Sequence, residues 1–157
     1  MGISRIRTLT LLGGVVALVV AVAVPVGAAG VVGRRSRKQV IDVTVKEFSV
    51  DPAVDHTRRD SVTFAVRNAG TITHELVLAR LDGSRPLAVT TLGAADEASI
   101  ADTDALGEAE DIEVRATKRF TVTGLTPGTY ELFCNIVEDD GTTSHYAQGM
   151  HTVFVVL

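Results

Sequence analysis

Ile41, Val43 and Val45 alternate with Asp42, Thr44 and Lys46, and the same beat returns where Val62, Phe64 and Val66 alternate with Thr63, Ala65 and Arg67. A period of two is the mark of a strand with one face in a core and the other in water. It recurs at Phe120 and Val122, set against Thr121 and Thr123. The segments 74–79 and 129–134 are also β-rich. Residues 153–157 are continuously apolar, as expected of a strand buried on both faces or paired centrally. Asp51-Pro52, Asn68-Ala69-Gly70-Thr71 and Thr126-Pro127-Gly128 separate these runs with turn-forming residues. About seven short strands between turns predict an all-β chain, and at this length an antiparallel two-sheet sandwich is the economical arrangement.

Two stretches break the rhythm. Residues 49–60 read as loop. Residues 87–113 hold Asp96, Glu97, Asp102, Asp104, Glu108, Glu110, Asp111 and Glu113, close to half of the nineteen acids in the chain. Weak apolar spacing over 94–105 allows a short helix there. The segment is expected to be an acidic, solvated excursion between strands, a simpler reading than a dedicated acidic docking patch.

The first forty residues have a different character. Arg5 and Arg7 precede a nearly unbroken apolar run from Thr8 to Val24, and Val26-Gly27-Ala28 offers small residues for cleavage. Residues 1–28 thus read as an export signal, 29–39 as a basic linker and 40–157 as the folded domain. A membrane anchor reaching to about residue 33 is the alternative, since the apolar stretch approaches the ~20 residues that span a bilayer. Arg34, Arg35, Arg37 and Lys38 outnumber the two N-terminal arginines, which disfavours an anchor holding the domain outside and favours cleavage. On either reading the domain is expected outside the cytoplasm: periplasmic, at the cell surface or secreted, with membrane association where the segment is retained. No cysteine near the cleavage site is available for lipid attachment. The net charge is -4, and removal through Ala28 takes two arginines and no acids, leaving -6. Nucleic-acid binders usually carry a basic patch, so that class is set aside.

The chemistry is concentrated in four residues. Cys134 is the one cysteine, and Met150 is the one methionine besides Met1. His145 stands between them and His74 lies upstream at the start of a strand-like segment. An exported chain meets oxidising conditions, and a lone cysteine there calls for an explanation that metal coordination supplies. One thiol, two imidazoles and a thioether form a ligand set suited to both oxidation states of copper. Zinc takes cysteine and histidine but rarely methionine, so Met150 favours copper. Strand alternation places Tyr130, Leu132 and Cys134 on one face, inward, and Phe133 on the other. Phe133 is then either a surface route for electrons or ordinary packing against a loop. His56 reads as a loop histidine, and the strand starting at His151 turns that side chain away from Met150. No phosphate-binding glycine loop, nucleophile elbow or substrate cleft stands out, so no enzymatic activity is expected.

The run Thr129-Tyr130-Glu131-Leu132-Phe133-Cys134-Asn135, followed by His145-Tyr146-Ala147-Gln148-Gly149-Met150, resembles the cupredoxins, the small blue-copper proteins that include plastocyanin and azurin. Asn68-Ala69-Gly70 before His74-Glu75 is similar to that family's first-histidine region, and Val43–Phe48 to the opening strand of its exported bacterial members. The resemblance covers roughly 40–157. It implies a Greek-key β-sandwich of eight strands or so, one type 1 copper held by His74, Cys134, His145 and Met150, and single-electron transfer between redox partner proteins by a monomer. Two departures stand out. Ten residues separate Cys134 from His145, with Glu138-Asp139-Asp140-Gly141 in place of a short turn, which puts the rigidity of the site in question. Glu75 follows His74 where plastocyanin-like members often carry Asn; it either ties the ligand loops together or faces solvent. The rival expectations are a copper carrier or buffer with an exposed, exchangeable site that supplies an oxidase, and a metal-free interaction module.

Overall fold

The computed structural model describes residues 38–83 and 86–157. The export segment and nearly all of the basic linker lie outside the described residues.

Among the described residues, nine strands form two facing sheets. They are β1 (Gln39–Lys46), β2 (Ser49–Pro52), β3 (His56–Thr57), β4 (Ser61–Asn68), β5 (His74–Arg80), β6 (Ala105–Ile112), β7 (Thr117–Thr123), β8 (Gly128–Phe133) and β9 (His151–Val156). One sheet has the order β2-β1-β4-β7 and the other β3-β9-β8-β5-β6. The chain passes repeatedly from one sheet to the other, as in Greek-key connections. The sheets are mixed rather than purely antiparallel, because β1 runs parallel to β4 and β3 parallel to β9.

The two-residue alternation does what it predicts. Ile41, Val43 and Val45 of β1, Val62, Phe64 and Val66 of β4, and Tyr130 and Leu132 of β8 meet between the sheets with Leu76, Leu78 and Phe154. Burying such a side chain contributes about 1.5–3 kcal/mol, and these residues form one continuous core.

Two expectations need correction, and a third is met in one of its two forms. Residues 49–60 hold β2 and β3, short edge pieces paired through backbone bonds to β1 and β9 with little side-chain pattern of their own. Strand β9 is paired centrally, between β3 and β8, which is one of the two arrangements its apolar run predicts; it is not buried on both faces, since Phe154 is enclosed while Val153 is exposed. The acidic excursion folds more than expected. A single 3-10 turn, Glu97–Ser99, is all that forms of the short helix the spacing allows over 94–105, and β6, which is not expected from the sequence, continues the sheet along β5. Its sequence ALGEAEDI is a poor strand former, so pairing with an apolar neighbour overrides local preference. The excursion also sets Ala95, Leu87 and Ile100 against Val77, Ala79, Phe133 and Tyr146, forming a second, smaller core on the outer face of the five-stranded sheet. That cover explains why β5 is apolar on both faces.

Candidate metal centre

The start of β5, the end of β8 and the start of β9 lie at the same end of the sandwich. His74 opens β5, Cys134 follows β8, and Met150 precedes β9. His74, Cys134, His145 and Met150 are each fully buried.

His74 is placed by Asn68, the last residue of β4. The Asn68 amide nitrogen donates to the carbonyls of Ile72 (2.7 Å) and Ile112 (2.8 Å), and its oxygen accepts from the Gly70 amide (2.8 Å). One fully buried side chain thereby fixes the loop into β5 and ties it to the end of β6. Cys134 points inward, as strand alternation requires, and its sulfur accepts from the Glu75 amide at 3.4 Å. Glu75 does link the two ligand segments: its carboxylate accepts the Asn135 amide at 2.8 Å. Burial raises the Glu75 pKa, the Asn135 bond opposes that, and Glu97, Glu108 and Glu110 add to the rise. Asn135 in turn pins the excursion through Ala95 (2.6 Å from its amide, 3.0 Å to its carbonyl) and Glu97 (2.9 Å).

The ten residues between Cys134 and His145 close on themselves. Val137 pairs with Ser144, the His145 amide donates to Ile136 at 2.9 Å, and the Glu138 amide donates to Thr143 at 2.9 Å. The Asp140 carboxylate accepts both the Thr142 and Thr143 amides (2.7 and 2.8 Å). The segment is a small hairpin, not a loose loop. Met150 is held at both ends of its peptide: its amide donates to His145 and its carbonyl accepts from Cys134, each at 3.0 Å.

Among the described residues, His74, Cys134 and His145 present ligand atoms that all lie within 4.8 Å of one another. Nδ1 of His74 is 3.3 Å from Nδ1 of His145, which is 3.3 Å from Sγ of Cys134. The outer nitrogens face carboxylates. Nε2 of His145 donates to Glu138 at 2.6 Å. Nε2 of His74 lies 3.5 Å from Oε1 of Glu47, too poorly placed for a hydrogen bond, and is otherwise an unpartnered buried atom. Facing a carboxylate, each ring keeps its proton on Nε2 and turns the Nδ1 lone pair inward. Two lone pairs and a sulfur then converge with only the thiol proton to share. A cation in their midst satisfies all three, and two nitrogens each roughly 2.0–2.1 Å from a first-row ion sit about 3.5 Å apart at a trigonal angle. The residues fit a metal of that class.

Electrostatics agree. Burial pushes the Cys134 thiol up to about 12 and outweighs the bonds from the Glu75 and Ile136 amides, so the thiol stays protonated until a metal displaces the proton. The His74 pKa is lowered, first by burial and then by His145, with Glu47 and Glu138 opposing; the ring is neutral and ready to bind. Burial opposes the Glu47 charge, but its own amide and those of Thr71 and Ile72 overcome that and bring its pKa to about 2.

Several neighbours carry no sequence signal. Phe48 packs its ring edge-on to His145 at 5.0 Å, and Glu47 beside it faces His74. Both follow β1, and nothing in their spacing ties them to ligands far along the chain. His151 is turned away as expected: it bonds Glu131 at 2.9 Å and stacks on Tyr146 at 4.5 Å. Tyr146 donates to the same Glu131 at 3.1 Å, which satisfies a nearly buried carboxylate. Phe133 is fully buried against Tyr146, 5.6 Å between ring centres, so it is packing and offers no surface of its own.

Solved structures with the same architecture include auracyanin from the photosynthetic bacterium Roseiflexus castenholzii, at 21% identity over 76% of this chain and 97% of that chain (TM-score 0.55). Auracyanin A, a "blue" copper protein of Chloroflexus aurantiacus, matches at 17% identity over 76% and 99% (TM-score 0.51). Rusticyanin from Thiobacillus ferrooxidans matches at 16% over 76% and 77% (TM-score 0.50). No family model matches the sequence, and no curated protein matches it. The fold is the cupredoxin β-sandwich.

Proposed function

We propose that this chain is a type 1 copper protein that carries single electrons between redox partner proteins outside the cytoplasm. His74, Cys134 and His145 would be the three strong ligands and Met150 the weak fourth. The observation that carries this is the buried convergence of two imidazole lone pairs and a thiol sharing one proton. Copper bound there supplies a one-electron couple whose two states accept the same ligand set. The protein's own contribution is to hold that set still. Asn68 fixes the approach to His74, Glu75 joins the cysteine and first-histidine segments, and the 135–144 hairpin closes over His145. The likeness of the fold to that of auracyanin A, a "blue" copper protein, supports the reading.

A carrier that hands copper on needs an exposed, exchangeable site. Full burial of both histidines and the cysteine, with a hairpin closed by its own bonds, favours retention over delivery. The test is addition of copper(II) to the metal-free domain. An intense blue absorption with narrow copper hyperfine splitting in EPR, abolished in Cys134→Ser, is expected. Absence of binding, or binding indifferent to that substitution, overturns the proposal. Uptake of copper(I) with no stable blue form points to a carrier.

A further inference from the structure

We infer that Glu138, reaching back from the hairpin onto His145, is a charge-bearing positioning residue that biases the centre toward oxidised copper, with the Glu47 charge adding to that bias through space from behind His74 and making no hydrogen bond to the ring. This rests on the copper reading above. Both imidazoles turn Nδ1 to the centre and Nε2 to a carboxylate: Glu138 Oε1 at 2.6 Å from His145, Glu47 Oε1 at 3.5 Å from His74. A carboxylate behind a ligating histidine fixes the tautomer, raises the basicity of the inner nitrogen and tunes the metal. With the thiolate, three negative charges surround the ion. They offset a divalent cation better than a monovalent one; the thiolate is fully buried, and solvent screens the two partly exposed carboxylates only in part.

The two carboxylates are not equivalent. Glu47 spends the same Oε1 on the Thr71 amide (2.5 Å) and the Ile72 amide (2.9 Å), so its charge is partly neutralised by backbone donors. The short contact of Glu138 with His145 makes it the stronger bias, and its partial exposure makes it the cleaner target for substitution. It also gives the hairpin a purpose: Glu138 leaves the cysteine strand, turns through 139–143 and meets the ring seven residues ahead of it.

The experiment compares wild type with Glu138→Gln and Glu138→Ala in the copper-loaded protein, measuring copper(II) affinity, copper(I) affinity and reduction potential. Gln keeps an acceptor for Nε2–H and removes only the charge. Histidine 15N NMR of the metal-free variant, expected to show the proton still on Nε2 of His145, verifies that. Loss of such a partner typically weakens metal binding by about 10–100-fold. Copper(II) affinity should fall within that range and copper(I) affinity about tenfold less, which raises the potential by ~59 mV. If both affinities fall equally, if the potential is unchanged or drops, or if only Glu138→Ala has an effect, the inference is overturned and Glu138 is a packing or hydrogen-bonding residue. Wild-type protein that takes up no copper defeats the copper reading itself, a separate outcome from a copper-loaded protein whose potential ignores Glu138.

Discussion

The Cys134 thiol should make the metal-free protein lose stability at alkaline pH. In the folded state burial lifts its pKa from 9.0 to about 12. In the unfolded chain the thiol titrates at its ordinary value, about 8.5–9. Between these limits the folded state holds a proton that the unfolded state has released, so stability falls as pH rises. The contribution is fully present below the unfolded pKa and is lost as pH climbs toward 12. The slope approaches ~1.4 kcal/mol per pH unit, and one unit above the unfolded value the accumulated loss is about 1.4 kcal/mol. Urea unfolding of metal-free wild type and Cys134→Ala from pH 7 to 10 isolates the effect, because lysine and tyrosine titrations are common to both. The gap between the two curves should change by about 1.4 kcal/mol by pH 10, with the variant gaining relative to wild type. Direct titration of the thiolate absorbance should show no thiolate at pH 9. A midpoint near 9, or parallel stability curves, would refute the buried-thiol account. The same proton sets metal affinity: binding must displace it, so affinity should rise about tenfold per pH unit across the neutral range.

Asn68→Ala removes three bonds and leaves the buried Ile112 carbonyl without this partner. It should cost about 2–4 kcal/mol in denaturant unfolding and weaken metal binding through His74. Phe133→Ala should destabilise the fold by about 3–5 kcal/mol while retaining the blue absorption, since the ring lies on the face opposite the thiol; loss of colour without loss of stability would contradict that placement. Gly70→Ala sets a Cβ 2.5–2.8 Å from the Glu47 carboxylate atoms, which must move and release the Thr71 and Ile72 amides. A loss of roughly 1–3 kcal/mol and a shifted His74 ring resonance in NMR are expected, and an unperturbed ring would show that Glu47 has no hold on it.

What was legible in the chain follows from how each element is specified. β1 and β7 declare themselves because one face is buried and the other wet, while β4 and β8 still carry core-facing apolar residues at every second position although their outer faces are largely covered too. β2, β3 and β6 are specified from outside, by a neighbour's free backbone edge. Glu108 and Glu110 on β6 therefore looked like loop residues although they flank the buried Ala109. The acidic excursion misled in the same manner. Its charges face water, while Leu87, Ala95 and Ile100 are too far apart in sequence to announce a shared packing surface over Phe133.

The centre divides along a similar line. Ligands are legible because coordination demands particular atom types: one thiol, one thioether and two imidazoles leave few assignments in a chain this sparing of them. Their surroundings are not, because a carboxylate behind an imidazole is chemically ordinary among nineteen acids. Glu47 and Glu138 acquire meaning only when β1 and the hairpin deliver them to His74 and His145. The long Cys134–His145 interval, read from sequence as a threat to rigidity, has the opposite effect. Extra loop length costs little entropy when the segment forms its own bonds, and this one spends its added residues on Val137–Ser144 pairing, an Asp140-anchored turn and a carboxylate returned to the ligand. Length between two ligands is therefore a poor measure of how tightly they are held; what decides it is whether the intervening backbone satisfies itself, and here it does.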